Sequence, residues 1–563
     1  MGSDISEKPS SRLNQKSFGV TNKIWLIVVL FIALIFFTRS ILPSDSSNYP
    51  RHKFLHTDLK PKNYLNITEG DSVPFSFCPA LGPGDELATK YDPVALTKTR
   101  LHTGSGARIQ RVITRALSGL PVTISVIGGS ISACHGAGNE PLAPYCYPSR
   151  FFNWWNNVFP HPASELTNGA MRKTTSAYFS FCNAHHVPDV TDLVIVELDA
   201  EDEGDKQSME NFELLVRSLL IRPDQPAVLI LGHSSPQILE ETGFLGPDQW
   251  HTLVAQFYDL PHVSIKPLIY PMYLQDPSSV QPYFVDPMLA NPAGHELIAD
   301  VLISYFQAQI CTAWAAATGT ASEVTPGPGP LVTNEKANTP TDARGLFGGV
   351  AQRKGAAGAA APEDPDANEP VLKAGPVAFA EPGSRQLTEQ LYPNLKVPPS
   401  RINQRPADYN ARTFEEVKPF CVSANDLINP LPPSIFSGSG WEVFHPPLGT
   451  AELNSFAHYW YSNLPTSKLR VGIQVGAGDI GIYYLKEPST TVGLGSAVEC
   501  WVDDNYAGAK IIENAAQIAE PTPALVMIDN FVAKGPHFVE CRLLGEEDDR
   551  NVPAFKVIGI FST

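Results

Sequence analysis

The residues with the clearest chemical potential in this chain are a serine and the two glycines before it, Gly128-Gly129-Ser130. They follow an apolar, β-branched run that predicts a buried strand over residues 121–127. Two glycines allow a sharp turn and a close backbone approach to a ligand. A serine at the carboxyl end of a buried strand can act as a nucleophile, and its own N–H can donate to a developing oxyanion. An ordinary strand-to-loop turn is the alternative interpretation of this stretch.

Three later stretches carry groups that could join the same site. Gly169 follows Glu165-Leu-Thr-Asn in a predicted turn and could supply a second backbone N–H. The acidic stretch 197–202 follows another predicted strand, where carboxylates can bind a metal or exchange protons. Asp286 precedes an Asn-Pro-Ala-Gly-His295 sequence that leads into an apolar helix. Taken singly, each stretch has a plainer interpretation: a loop glycine, a solvated acidic loop, and a polar cap on a helix.

In this order the stretches resemble the SGNH (GDSL-like) esterase superfamily over about residues 115–310. Gly128-Gly129-Ser130 is similar to its first block, Asn168-Gly169 to its second, and Asp286 to the aspartate of its D-x-x-H block. The resemblance implies Ser130 as the nucleophile and the N–H groups of Ser130 and Gly169 as the oxyanion hole. It also implies that Asp286 is the aspartate of the triad. His295 is not the catalytic histidine of that family, but it could serve as a general base oriented by Asp286, which would make an imperfect proton relay. Neither a metal nor a cofactor is expected.

Two positions depart from the pattern of that family. Its third block normally supplies an asparagine side chain to the oxyanion hole, whereas Glu201 stands at that position here. The histidine of the D-x-x-H block is replaced by Leu289, which cannot accept a proton from the serine. Loss of a triad member or an oxyanion donor typically costs at least about a hundredfold in rate. His135 and His233 are alternative bases, and a buried, protonated Glu201 would donate a hydrogen bond instead of repelling an oxyanion.

The elements that position these residues alternate between short apolar runs and helical stretches. This alternation predicts an α/β fold with a doubly wound parallel sheet in the SGNH-like, flavodoxin-like order. The predicted strands are 121–127, 193–198, 227–232 and 263–269, and the predicted helices are 149–159, 174–186, 206–221, 248–258 and 292–313.

This predicted α/β domain spans residues 78–317. After it, the amino-acid composition of the chain changes twice. Residues 318–385 are rich in glycine, alanine and proline with few large apolar side chains, which predicts a disordered linker. Short alternating runs in 386–563 then predict a C-terminal β-sandwich domain. Its predicted strands are 468–475, 480–485, 497–502, 524–529, 537–544 and 555–561.

The N-terminal part of the chain predicts a membrane anchor. Residues 24–37 are uncharged and apolar, and their flanks extend the predicted transmembrane signal-anchor to 24–42. The basic excess before it places the tail, 1–23, in the cytosol and a stem, 43–77, in the lumen. A cleaved signal peptide and a buried core helix are the alternatives. The expected protein is a single-pass type II membrane protein whose C-terminal bulk lies in the Golgi, in another secretory compartment or outside the cell.

The net charge and the cysteine content limit the classes of binding partner and the cellular compartments that are expected for this chain. A formal net charge of −17 argues against nucleic acid, because neutralising phosphates requires basic surfaces. All eight cysteines follow the predicted anchor, and an even number in an oxidising compartment suggests disulfides, with Cys500 and Cys541 as one candidate pair. Asn66 begins an Asn-Ile-Thr sequon and is a candidate glycosylation site. The expected partners are therefore a membrane and a glycan or polysaccharide.

Two classes of function remain on these grounds. The first is an SGNH-type serine esterase or O-acyltransferase that acts on acetyl or other O-acyl groups during glycan biosynthesis. The layout is also similar to fungal capsule-associated or cell-wall-associated SGNH proteins. The second is a catalytically degenerate protein that binds glycan or scaffolds capsule or cell-wall synthesis. A glycosyltransferase would usually need an Asp-x-Asp motif, which occurs only at Asp364-Pro-Asp366 in the predicted linker.

Overall fold

The computed structural model describes residues 59–66, 73–321, 396–403, 414, 416–424, 436–446, 457–545 and 552–563, with scattered positions between 16 and 31. The chain divides into two compact units, 1–58 and 59–563. In the first unit, β1 (Lys16–Ser17) and β2 (Val20–Thr21) form an antiparallel pair. Most of the predicted anchor, 24–42, lies outside the described residues, so the anchor and the topology stay predictions.

A six-stranded sheet forms the centre of the α/β domain in the second unit. Its strands are β3 (Arg100–His102), β4 (Thr123–Gly128), β5 (Glu165–Asn168), β6 (Leu193–Glu197), β7 (Ala227–Gly232) and β8 (His262–Ser264). The strand order is β3-β8-β7-β6-β4-β5. The strands from β4 to β8 are parallel, and β3 pairs antiparallel with β8 at the edge. The five parallel strands therefore have the predicted flavodoxin-like order. From β4 the chain first adds β5 on one side, and all later parallel strands are added on the other side.

Helices cover both faces of this sheet, as predicted for a doubly wound fold. Apolar side chains of α3, α4 and α10 pack on one face, and those of α5, α6 and α8 pack on the other. The helices are α1 (Glu86–Tyr91), α2 (Pro93–Lys98), α3 (Ala107–Leu117), α4 (Tyr147–Val158), α5 (Ser176–Cys182), α6 (Lys206–Leu220), α7 (Pro236–Thr242), α8 (Asp248–Tyr258), α9 (Lys266–Gln275) and α10 (Pro292–Ala317), with 3₁₀ turns at Asn183–His185 and Pro277–Tyr283.

Two parts of the sequence-based prediction are wrong in this domain. The stretch expected to be a turn before Gly169 is the edge strand β5, because its backbone pairs with β4 although its own residues are only half-buried. The strand expected over 263–269 ends at Ser264, and α9 begins at Lys266 with Pro267 in its first turn. Proline fits the first turn of a helix but would break a central strand.

The longest helix, α10, is a core element of the α/β domain. Within the described part of the chain it is the one helix long and apolar enough to cross a membrane. However, 72% of its most apolar stretch is buried inside the protein. A helix that is apolar on all sides and buried in this way fits the interior of a globular domain. Its N-cap is Asn291, whose side chain accepts hydrogen bonds from the N–H groups of Ala293 and Gly294.

The C-terminal part forms two sheets that pack face to face, as predicted for a β-sandwich, and their strands pair antiparallel except for the parallel pair β14–β17. One sheet has the order β10-β13-β19-β15-β16; the other has the order β11-β12-β20-β14-β17, with β9 paired to β20 and β18 to β14. Side chains from both sheets share one buried apolar core. The strands are β9 (Phe420–Ser423), β10 (Phe436–Ser439), β11 (Glu442–Phe444), β12 (Tyr459–Ser462), β13 (Lys468–Val475), β14 (Ile480–Pro488), β15 (Ala497–Val502), β16 (Lys510–Glu513), β17 (Ala515–Ala516), β18 (Thr522–Asp529), β19 (Gly535–Leu543) and β20 (Phe555–Ser562), with α11 (Ser489–Val492) and a 3₁₀ turn at Tyr506–Gly508.

Four disulfides use all eight cysteines. The predicted Cys500–Cys541 bridge is confirmed and joins neighbouring strands β15 and β19. The others are Cys78–Cys311, Cys134–Cys146 and Cys182–Cys421. Cys182–Cys421 links α5 of the α/β domain to β9 of the sandwich. The two domains also share apolar contacts there, since the rings of Phe181 and Phe561 stack at 4.1 Å.

Candidate functional site

Ser130 lies just beyond β4, at the carboxyl end of the strand where the order of the parallel sheet reverses. Open α/β sheets place their ligands at such a switch point. The loops that follow β5 and β6 lie on the same edge because both strands are parallel to β4. Ser130 is only 5% exposed, so its hydroxyl lies under this edge rather than on the open surface.

Glu201, in the loop after β6, is the nearest chemical partner of Ser130. The Ser130 N–H donates to Glu201 Oε1 at 2.6 Å. The approach depends on Gly129, because a Cβ at that position would overlap Glu201 Oε2. Glu201 reaches this position through a tight turn in which its N–H donates to the Leu198 carbonyl. The second glycine of the predicted motif therefore makes room for a carboxylate, not only for a turn.

The electrostatics of this edge favour protonated carboxyls. Burial raises the pKa of Glu201 to about 7, although its contacts with Ser130 act in the opposite direction. Burial, followed by repulsion from Glu201, raises the pKa of Glu197 well above its ordinary value. Glu197 Oε1 and Glu201 Oε2 are both buried without a hydrogen-bond partner. Among the described residues, no three His, Cys, Asp or Glu side chains are arranged to hold a metal ion.

His251 holds the acidic loop in place from the opposite side. This residue of α8 places Nδ1 2.6 Å from Asp199 Oδ1 and Nε2 3.1 Å from Asp202 Oδ2. Burial alone would lower the pKa of His251, but the two carboxylates raise it to about 10. The ring of Phe212 stacks on the imidazole at 3.8 Å. Because Glu201 lies between the two aspartates in sequence, the ion-paired imidazole fixes the turn that presents Glu201 to Ser130.

The expected oxyanion hole is not formed as the sequence suggested. The Ser130 N–H donates to Glu201, and the Gly169 N–H donates to the Val126 carbonyl at 3.0 Å. Gly169 is also packed so tightly against the His186 carbonyl that a Cβ would overlap it. The turn after β5 nevertheless brings a different amide to the site, because the Lys173 N–H donates to Ser130 Oγ at 3.0 Å. The Lys173 N–H therefore contacts the serine, which the Gly169 N–H does not.

The expected relay through Asp286 and His295 is not formed either. Asp286 is exposed, and its Oδ1 accepts the N–H groups of Met288 and Leu289 at 2.8 and 2.6 Å. His295 is fully buried on α10, and its Nδ1 accepts the Tyr147 N–H at 3.3 Å. Burial lowers the pKa of His295 to about 3, so it stays neutral at physiological pH. Asp286 therefore stabilises a turn and His295 packs in the core.

No other imidazole replaces His295 among the residues that the structure describes. His135 Nδ1 pairs with Asn139 Oδ1 at 3.0 Å, and His233 Nε2 lies 3.2 Å from the Met288 carbonyl. Leu289, at the position of the family histidine, packs partly buried against the apolar core. Among the described residues, the hydrogen bond of the Ser130 hydroxyl is the one that it accepts from the Lys173 N–H. The sequence departures at Leu289 and Glu201 thus correspond to a real change in the surroundings of the serine.

Sequence reasoning missed three contributors to this edge. Ser132 Oγ hydrogen-bonds Glu197 Oε2 at 2.9 Å and the Tyr147 hydroxyl at 2.7 Å. Lys173 carries no sequence signal, although it has a left-handed φ of 49° and its Nζ pairs with Glu520 of the sandwich at 2.9 Å. His251 likewise lies far from the acidic stretch in sequence. Contacts between residues so distant along the chain leave no local pattern that a single sequence could reveal.

The candidate glycosylation site at Asn66 is exposed. The other two residues of its sequon lie outside the described residues, so the site stays a prediction.

Known structures resemble this chain in both domains. The crystal structure of a two-domain esterase active on acetylated mannans matches with a TM-score of 0.52 and 18% identity, over 83% of this chain and 97% of that chain. A crystal structure of such an esterase co-crystallised with mannopentaose matches with a TM-score of 0.51 over the same shares. The chain has this two-domain esterase fold.

The two-domain esterase fold accounts for both the parallel α/β sheet and the C-terminal sandwich. At 18% identity the likeness concerns the fold alone. No family model matches the sequence, and no curated protein matches it. The residues around Ser130 therefore have to be judged by their own geometry.

Proposed function

We propose that this protein acts on O-acyl groups, and in particular acetyl groups, of a polysaccharide or glycan, with Ser130 as the residue that meets the ester. The observation that carries the proposal is the position of Ser130 at the switch point of a two-domain fold that matches nearly the full length of an esterase active on acetylated mannans. The N–H of Lys173 donates to the hydroxyl, and the carboxyl of Glu201 accepts the backbone N–H of the same serine.

The proposed setting is the secretory pathway. Residues 24–42 would anchor the chain in a type II orientation, with both folded domains in the Golgi lumen, another secretory compartment or outside the cell. Four disulfides support an oxidising compartment. The finer assignment within this setting is a fungal capsule-associated or cell-wall-associated SGNH protein. The expected partners are a glycan and the membrane, not nucleic acid.

A second candidate function is glycan binding without turnover. It is favoured by Leu289 at the position of the family histidine and by the Ser130 and Gly169 N–H groups, which already donate within the protein. A site of this kind could recognise an acylated glycan, or scaffold capsule or cell-wall synthesis, without cleaving an ester.

Acetylated mannan offers a test that separates the two candidates. The full chain, purified in detergent, would be assayed for acetate release and for binding to acetylated and deacetylated mannan. We expect acetate release that disappears in Ser130→Ala. Ser304→Ala is the matched control, because Ser304 is also buried but lies on α10 and its hydroxyl has no hydrogen-bond partner.

Three results would decide between the candidates. Acetate release by wild type and by Ser304→Ala, but not by Ser130→Ala, supports action on the ester. Binding that prefers acetylated mannan, without release by any variant, supports the second candidate. Neither binding nor release across a panel of acetylated polysaccharides would refute both.

A further inference from the structure

We infer that Glu201 takes the proton of the Ser130 hydroxyl, so that Ser130 and Glu201 form a nucleophile–base pair in a site that lacks a catalytic histidine. The inference rests on the proposed function, because it names the base of the same site. It assigns a role to the position at which the resemblance implied an oxyanion donor.

The geometry around the Ser130 hydroxyl supplies the first argument. Its oxygen accepts the Lys173 N–H at 3.0 Å, which directs the remaining hydroxyl proton toward another acceptor. Glu201 faces the same serine, with Oε1 2.6 Å from the Ser130 nitrogen. A general base must lie within hydrogen-bond reach of the proton it removes, and Glu201 is the carboxylate bonded to the same residue that carries this proton.

The construction around Glu201 supplies the second argument. The absence of a side chain at Gly129 lets the carboxylate lie against the serine backbone. His251 fixes the flanking Asp199 and Asp202 at 2.6 and 3.1 Å. An acidic loop that is simply solvated would need neither a glycine at position 129 nor an ion-paired histidine. Because Glu201 Oε2 is buried and unpartnered, the carboxyl can take up a proton without breaking an existing contact at that oxygen.

The charges around Glu201 make it a base suited to neutral pH. Burial and the neighbouring Asp202 raise its pKa, and contacts with Ser130 and the Lys173 N–H lower it, with a result of about 7. Glu197 from β6 also faces this carboxyl, while Asp199 and Asp202 are ion-paired with His251 of α8. A base is most effective when its pKa lies near the working pH.

Every bond and proton in the acyl transfer can be assigned to these residues, the acylated sugar and water. Ser130 Oγ forms a bond to the acyl carbon while its proton moves to Glu201, and the Lys173 N–H becomes available to the oxyanion. Protonation of Glu201 also removes the negative charge that would repel the oxyanion. The bond from the acyl carbon to the sugar oxygen breaks, and that oxygen takes the proton from Glu201. Water repeats the sequence on the acyl-serine, with Ser130 Oγ as the leaving group, and the free carboxylic acid departs.

A fluorophosphonate probe tests this pair without a glycan, because it reports only the reactivity of the serine. The full chain would be labelled in detergent between pH 5 and 9, and the modified residue would be mapped by mass spectrometry. We expect labelling at Ser130, with a rate that rises through pH of about 7 and then levels off. In Glu201→Gln the plateau rate should fall by about 10² to 10⁴, the usual contribution of a general base.

Glu203→Gln is the matched control, since Glu203 is an exposed glutamate two residues beyond Glu201 in the same loop. It should label within about threefold of wild type with the same pH midpoint, because the substitution of an exposed side chain leaves the burial of Glu201 and its contact with Ser130 unchanged. Glu201→Asp should retain part of the rate because it keeps a carboxylate. The pH midpoint of wild type is informative even if a variant folds poorly.

Two outcomes would overturn the inference. One is a wild-type Ser130 that resists the probe over the whole pH range, and the other is a folded Glu201→Gln protein that labels as fast as wild type. Resistance to the probe combined with binding of acetylated mannan would leave glycan recognition standing. Labelling that depends on Glu201, without any effect on acylated glycans, would refute the proposed function and leave the nucleophile–base pair intact.

Discussion

Replacing Glu201 by glutamine should change how the stability of the protein depends on pH. Burial raises the pKa of this carboxyl from 4.5 to about 7 in the folded chain, whereas the unfolded chain titrates near the ordinary value. Between these two values the folded state holds more protons than the unfolded state. The contribution of Glu201 to the free energy of unfolding therefore falls as pH rises through this window and becomes constant above it.

The size of the effect follows from the pKa. One pKa unit corresponds to about 1.4 kcal/mol, so ionising Glu201 in the folded state destabilises wild type by about 3 kcal/mol at pH 8 relative to pH 4.5. Glutamine does not titrate, so the variant escapes this loss. For an α/β domain of this size, the difference in Tm between variant and wild type should increase by about 6 to 12 °C from pH 4.5 to pH 8.

Scanning calorimetry at several pH values between 4.5 and 8 measures this difference directly. His251, His233 and His295 also have shifted pKa values, but their contributions cancel because they are the same in both proteins. Glu203→Gln, an exposed change in the same loop, is the control and should give a difference that does not vary with pH. Parallel pH dependences of wild type and Glu201→Gln would refute the reasoning.

Two further substitutions test contacts around the site. His251→Gln breaks a buried ion pair with two aspartates, which typically costs about 3 to 5 kcal/mol. Since the pKa of His251 is raised to about 10, its contribution to the free energy of unfolding is complete below pH 6.5 and is lost as pH approaches 10. The Tm of His251→Gln should therefore approach that of wild type over this range, and a difference that does not shrink would contradict the assignment. Arg217→Lys should speed proteolysis of the segment that carries Glu416. The guanidinium donates from Nε to that carboxylate at 2.7 Å and from Nη1 to two backbone carbonyls, and a single ammonium cannot reproduce this fork of donors. An unchanged cleavage rate would argue against this role.

The strands that could be predicted from the sequence were those whose own residues carry the pattern. The central strands β4, β6 and β7 are apolar throughout because helices cover both faces, and their predicted positions match closely. In the sandwich, the run Lys468–Val475 alternates between exposed and buried residues and was predicted with its exact bounds. The edge strand β5 could not be recognised, because it is polar and is defined by its pairing with β4.

In the candidate site too, positions marked by a local sequence pattern could be predicted, whereas tertiary contacts could not. Ser130 and Glu201 could be located because each follows a recognisable strand, and parallel neighbours end at the same edge of a sheet. Which N–H groups remain available could not be predicted, because the partners of Ser130 and Gly169 are set by tertiary contacts. The same holds for His295, since whether a helix-start histidine faces a cleft or the core depends on how α10 packs against Tyr147.

The disulfide between Cys78 and Cys311 has a mechanical consequence. It joins the beginning of the α/β domain to its last helix across a sequence separation of 233 residues. A pull applied between residue 66 and residue 321 would travel through the sulfur–sulfur bond and bypass the parallel sheet. The strands that carry Ser130 and Glu201 would then bear none of that load, so their alignment would survive tension on a tethered chain.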